Sequence, residues 1–229
     1  MNINKSRLKL LQLLKFFGTF LFAYILGCYT IKEELFPYNV YVDWKNPIHK
    51  NILSSNELFE LVKKGGFVIQ FRHTHRDRSA IPLITSSVDR NYLCIDGANL
   101  SSLGRSQAKW IKFNMQEHMI PIGEIFSSPA CRLKQMTEIL FPDKNVTFSD
   151  LLFYNRILNE TELNEKKVLI KELLSKPIID SSNRFIMGHQ GTYHTPGFAL
   201  PEGHAFIYKP LGNGSFDFLG TIELSTWLP

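Results

Sequence analysis

Three short apolar runs in this chain each end on groups that bind anions or carry protons, and this recurrence constrains the fold more than any other feature. Phe67-Val68-Ile69-Gln70-Phe71 runs into Arg72-His73. Glu124-Ile125-Phe126-Ser127 runs into Ser128 and, past Pro129, Arg132. Arg184-Phe185-Ile186-Met187 runs into Gly188-His189. A short apolar run of this kind reads as a buried strand. Segments of helical period lie between the runs, and strands alternating with helices predict a mainly parallel sheet covered on both faces. The expected fold class is therefore α/β, a three-layer α/β/α sandwich. In such sheets the ligand crevice lies beyond the carboxyl ends of the strands, so three distant segments should bring their polar ends to one place.

The remaining elements follow from caps and spacing. Ser54-Ser55-Asn56-Glu57 is a capping box, and the short helix after it should bury Leu58, Leu61 and Val62 before Gly65-Gly66 ends it. Residues 77–97 show no period and read as a long loop beside the Arg-His pair. A helix from Ser101 or Ser102 to about His118 takes its spacing from Leu103, Gln107, Trp110, Ile111 and Met115, with Trp110 expected in the core, as is Phe126. Pro129 is expected to open a helix through Leu140. A helix over 161–175 should bury Leu163, Ile170, Leu173 and Leu174. Strands over 205–209 and 217–222 join through Gly212-Asn213-Gly214.

The chain has 229 residues, enough for one sizeable α/β core rather than two ordinary domains. Its net charge of +5 is uneven. Lys5, Arg7, Lys9 and Lys15 stand without an acid in residues 1–27, which leaves the rest near +1. A near-neutral body carries no electrostatic footprint for nucleic acid, and no nucleic-acid partner is expected. The apolar run Phe16–Ile31 follows those cations. Residues 1–31 therefore read as a signal anchor or a lipoprotein signal, with Ile25-Leu26-Gly27-Cys28 resembling a lipobox. The positive-inside rule puts the folded part on the extracytoplasmic side of a membrane. Residues 32–53 read as a connector and 54–229 as the folded domain.

The strand-end residues suit phosphoryl chemistry. An Arg guanidinium offers a planar, permanently charged fork of donors to phosphate oxygens. A neutral imidazole can attack phosphorus, and a second can donate to the transferred group. Such a site needs no metal and no cofactor. His73, His75 and His189 could also be read as zinc ligands, but no Asp or Glu accompanies them at usual metal spacing.

Here the sequence resembles a known family. FVIQFRHTHRD looks like the Arg-His signature of the histidine phosphatase superfamily, whose fold is phosphoglycerate-mutase-like. NLSSLGRSQA, IFSSPACRLKQMTEILF and FIMGHQGT are similar to its later segments, and FALPEGHAFIYKPLGNGSFDFLGTIELSTW is similar to the tail of exported members. Each match is short, but all occur in order over roughly residues 56–227. The resemblance implies a phosphomonoesterase that uses His73 as nucleophile. Arg72 and Arg132 would clamp the phosphoryl group, His189 would complete the pocket, and Arg76 would add a further contact. The partner would be a small-molecule phosphomonoester. Glu202, in the turn Leu200-Pro201-Glu202-Gly203, is the candidate general acid, ahead of Glu160 and Glu162. A disulfide between Cys94 and Cys131, which flank segments of the same pocket, is expected on this reading.

The chain also departs from the family's pattern. Thr74 stands where Gly or Ala is usual after the nucleophile, Gly97-Ala98 replaces Gln-Arg before Asn99, and Gln190 follows His189. Thr74 and the missing pocket acid, with Gln190 where another branch has Asp, support the alternative of a non-catalytic protein that binds phosphate or sugar phosphate on the same fold. Retention of Arg72, His73, Arg132 and His189 supports the enzyme.

Overall fold

The computed structural model describes residues 53–79, 99–153, 158–189 and 200–228. Residues 1–31 with Cys28, expected as a targeting segment, most of the expected connector, and Cys94 lie outside these residues, as do His49, Gln190, His194 and the rest of the expected loop over 77–97.

In chain order the described elements are α1 (Ser55–Val62), β1 (Val68–Arg72), α2 (Ser102–Glu117), β2 (Ile122–Ser127), α3 (Cys131–Leu140), β3 (Thr147–Phe148), α4 (Glu160–Ser175), β4 (Asn183–Gly188), β5 (Ala205–Gly212) and β6 (Ser215–Ile222). Single 3₁₀ turns occupy Asp150–Leu152 and Leu224–Trp227. One six-stranded sheet runs in the order β3-β2-β4-β1-β5-β6. β3, β2, β4 and β1 are parallel neighbours, whereas β5 is antiparallel to β1 and β6 antiparallel to β5.

The period of two along each strand sorts its side chains between two cores. Ile69, Phe71, Phe185, Met187, Ala205 and Ile207 pack with buried residues of α1, α2 and α3. Val68, Ile186, Phe206 and Tyr208 face the other way and pack with Ile170, Leu173 and Leu174 of α4. Three helices on one face and one on the other make the three-layer α/β/α sandwich with a mainly parallel sheet. Arg184, 2% exposed, ties the layers at the amino end of β4. It bonds Glu124 of β2 at 2.8 Å and satisfies the Leu173 and Lys176 carbonyls at the end of α4.

Several expectations are corrected. Residues 129 and 130 do not begin α3, which starts at Cys131 after an extended Ala130 (φ −57°, ψ 135°). The chain needs Ser128-Pro129-Ala130 to cross from strand end to helix. Trp110 and Leu103 are not core, being 45% and 53% exposed. The buried face of α2 is made by Gly104, Ala108, Ile111 and Met115, and Gly104 lets the helix lie close to the His75 backbone. In α1 the buried set is Leu58, Phe59 and Val62, because Phe59 packs on Trp227 at 5.2 Å, while Leu61 is half-buried. Phe126 and Leu163 are only partly buried, at the edges of their clusters.

The topology fixes where polar residues gather. β1, β2 and β4 are parallel, so Arg72-His73, Ser128 and His189 leave the sheet at the same edge. β5 runs opposite, so its approach segment, Leu200 to His204, arrives at that edge too. Backbone bonds fasten it there, from Arg72 N to His204 O (3.1 Å) and from Gly203 N to His73 O (2.9 Å).

Candidate active site

His73 is 3% exposed, and its Nδ1 lies 2.8 Å from the Thr74 carbonyl. A carbonyl only accepts, so Nδ1 carries the proton and Nε2 keeps its lone pair. Burial holds the His73 pKa well below the ordinary imidazole value, and the Arg132 charge adds to this. The ring is therefore neutral at pH 7, the state a nucleophile needs.

His189 lies in edge contact with it, the ring centroids 5.8 Å apart. Arg132 places an Nη 3.1 Å from His189 Nδ1. A guanidinium only donates, so this nitrogen accepts, and the His189 proton sits on Nε2, which donates to Ser128 Oγ at 3.2 Å. Burial first, then Arg132, push the His189 pKa well below its usual value. The neighbouring imidazoles thus hold opposite tautomers: His73 offers a lone pair at Nε2, and His189 offers a proton there.

The cations come from different elements. Arg132 lies in the first turn of α3 and is 7% exposed. Arg72, the last residue of β1, donates from Nη1 to the Leu200 carbonyl at 2.7 Å and lies 3.5 Å from Glu202. Its Nε is buried without a hydrogen-bond partner among the described residues, a donor suited to an anion. Arg76 forms a β-bridge with Leu100, and its charge acts on both Arg72 and His73.

Thr74 is fully buried, and its hydroxyl donates to the Gly104 carbonyl of α2 at 2.8 Å. The hydroxyl thus serves to dock the loop on the helix. His75 turns to the same helix. Its Nε2 accepts from Arg78 (3.0 Å), its Nδ1 meets Ser101 Oγ (2.7 Å), and its backbone abuts Gly104. Among the described residues, no group of three or more His, Cys, Asp and Glu is placed to hold a metal ion.

Glu202 reaches the site, with a side chain 14% exposed, 3.5 Å from Arg72 and 3.0 Å from Arg78. Gly203, at φ +77°, makes the turn behind it. Both cations are partners for its carboxylate form, whereas a general acid must carry a proton. Glu162 closes a capping box with Asn159 at the start of α4, and Glu160 lies in the same first turn. Cys131 is disulfide-bonded, and Cys94 lies outside the described residues.

The sequence reading leaves Arg78 as a loop charge, places Ser128 at a strand end without a role and passes over Lys166. Arg78 bridges His75 and Glu202 at the rim. Ser128 holds the proton-bearing nitrogen of His189. Lys166 of α4 is 2% exposed, donates to the Phe153 carbonyl and has its pKa lowered by burial to about 8. Its charge also acts on His189. Its spacing of four and eight residues from Ile170 and Leu174 marks the buried face and could have revealed it.

No family model matches the chain, and neither does any curated protein. Solved structures do. The protein histidine phosphatase SixA in complex with tungstate is 11% identical, with a TM-score of 0.49 over 70% of this chain and 98% of its own. A mycobacterial glucosyl-3-phosphoglycerate phosphatase in complex with VO3 is 13% identical, with a TM-score of 0.44 over 67% of this chain and 96% of its own. A phosphoserine phosphatase from Entamoeba histolytica in complex with phosphoserine is 13% identical, with a TM-score of 0.41 over 69% and 97%. These similar structures are phosphatases of the histidine phosphatase superfamily, the one that the short sequence signatures resemble.

Proposed function

We propose that this chain hydrolyses phosphomonoesters through a phosphohistidine at Nε2 of His73, without a metal. The carrying observation is the buried, neutral His73 whose Nδ1–H is committed to the Thr74 carbonyl, beside His189 and Arg132. In the first step the Nε2 lone pair attacks phosphorus, the ester P–O bond breaks, and the alcohol leaves with a proton. In the second, water attacks phosphorus, the N–P bond breaks, and inorganic phosphate leaves His73 neutral. Arg72, Arg132 and Arg76 neutralise charge on the phosphoryl oxygens, and His189 Nε2–H becomes a further donor when it exchanges its Ser128 contact for substrate. The arginines supply the positive field that a metal would otherwise bring. Glu202 is retained as candidate proton donor to the leaving alcohol, a role for which it must exchange its Arg72 or Arg78 contact for substrate.

A non-catalytic phosphate-binding role drew support from Thr74. That support weakens because the Thr74 hydroxyl is engaged by Gly104. The reading extends to location, with residues 1–31 tethering the domain on the extracytoplasmic face of a membrane. Among the described residues no helix is long and apolar enough to cross one, and residues 1–31 are outside them.

The test is turnover of a chromogenic aryl phosphate with rapid acid quench of labelled substrate. Wild type should accumulate an acid-labile phosphoenzyme, and His73→Ala should lose at least ~10³-fold in kcat/KM while staying folded. Prolonged chelation should change neither. Near-wild-type turnover by His73→Ala would end the nucleophile assignment, and loss on chelation restored by zinc would favour a metal site. Phosphate binding with no turnover would favour the non-catalytic protein.

A further inference from the structure

The outward face of α2 carries an apolar stripe beside a cationic row. Leu103, Trp110 and Phe113 are 53%, 45% and 51% exposed, and the two rings meet edge to face at 5.7 Å. They fall seven and three residues apart, on the side of the helix away from Gly104, Ala108, Ile111 and Met115. Arg105, Lys109 and Lys112 recur at spacings of four and three and form the row alongside. No acid occurs from Ser102 to Gln116, and none of the three cations has an ion-pair partner among the described residues.

We propose that this face of α2 docks on an anionic lipid bilayer. Exposed Trp, Phe and Leu flanked by Lys and Arg are what an interfacial helix offers: apolar groups reach the acyl boundary while the cations stay among charged headgroups. Charge selects this occupant over a second copy of the chain. A two-fold pairing of the face with itself would set Arg105, Lys109 and Lys112 against the same three cations, with Glu117, the last residue of α2, as the single acid of each helix to offset them. A bilayer containing anionic lipid is a continuous negative surface, and each nearby cation strengthens the attraction. The placement has a consequence for the pocket. Ser101 and Gly104, at the start of α2, touch His75 two residues past His73, so docking brings the rim of the site near the headgroups.

The probe is the full chain with vesicles of phosphatidylcholine alone or mixed with phosphatidylglycerol, in which the acyl chains are brominated to quench tryptophan. With Trp44 changed to Phe in every protein and Trp227 fully buried, comparing wild type with Trp110→Tyr isolates Trp110 even where residues 1–31 already hold the chain to the vesicle. Quenching in the mixed vesicles should fall in Trp110→Tyr and should weaken at high salt. Reversing the row with Arg105→Glu, Lys109→Glu and Lys112→Glu should lower the phosphatidylglycerol-dependent association of α2 by about 100-fold. Equal quenching in wild type and Trp110→Tyr would overturn the proposal. So would a lipid-free dimer that Trp110→Ser with Phe113→Ser dissociates, or association with an acidic protein at this face but not with vesicles. None of these readouts depends on phosphatase activity, so the docking surface and the proposed chemistry stand or fall separately.

Discussion

Replacing Gly104 by Ala should destabilise the protein and slow turnover, although alanine is the better helix former. In an unconstrained helix interior the change stabilises by about 0.5–1 kcal/mol. Here a Cβ would lie 2.0 Å from the His75 carbonyl oxygen, 2.9 Å from its carbon and 3.2 Å from its nitrogen. All three are backbone atoms, so no rotamer change relieves the contact. The start of α2 and the loop after His73 must part by about 1 Å to reach ordinary spacing. Parting strains the Thr74 hydroxyl bond to Gly104 O (2.8 Å) and the Ser101 N bond to His75 O (3.1 Å). Overpacking costs about 1–3 kcal/mol and a weakened hydrogen bond about 1, against the helix-propensity gain. The net loss should be about 1–3 kcal/mol by urea denaturation. A displacement of roughly 1 Å that reaches His73 should lower kcat/KM by about 10²-fold on an aryl phosphate. Gly188→Ala serves as the control, since its Cβ would meet nothing within 4 Å and its stability should be near wild type. A Gly104→Ala protein of equal or greater stability and full activity would refute the close-approach argument.

Glu202→Gln should slow hydrolysis of a sugar phosphate by roughly 10²-fold and spare an activated aryl phosphate, which needs no proton on its leaving group; equal effects on both would remove Glu202 from the acid role. The folded-state pKa values of His73 and His189 lie below the unfolded value near 6.5, so the unfolded chain binds more protons in acid. Their stabilisation is whole above about pH 6.5 and is lost as the pH falls toward the folded values, so Tm should decline on acidification, less steeply in His73→Gln; identical slopes would contradict it. Alkylation of the unreduced, denatured chain should leave Cys94 and Cys131 unlabelled, and two reactive thiols there would exclude their disulfide. Full-length protein should fractionate with membranes and a chain starting at Lys32 should be released, with fatty-acid label lost in Cys28→Ala if that cysteine is acylated; a soluble full-length chain would remove the tether.

The strands that carry the site were legible because each joins a compact apolar run to a polar terminus, and parallel topology turns those termini into neighbours. β3 was not, since Thr147–Phe148 is too short to show a period. In α2 the large residues Leu103 and Trp110 imitate a core stripe, while the real contact face is built from Gly104 and Ala108, which weigh little in any hydrophobic pattern. Lys166 escaped because a lysine in a helix ordinarily reads as solvated. The tautomers of His73 and His189 depend on which carbonyl, hydroxyl or guanidinium lies opposite each nitrogen, and only the folded chain decides that.

The central position of β1 has a consequence for synthesis. Its partners are β4 and β5, and the bond from Phe67 N to the Asn183 side chain already spans 116 residues. Both edges of an apolar strand therefore wait, unpaired, until most of the polypeptide has left the ribosome. Contacts so distant in sequence form slowly, and open strand edges invite wrong partners meanwhile. The same delay means that a chain stopped before β4 holds Arg72 and His73 with no sheet to fix them. The pocket should thus form late and all at once, which suits the passage of an unfolded chain across a membrane that the proposed location requires.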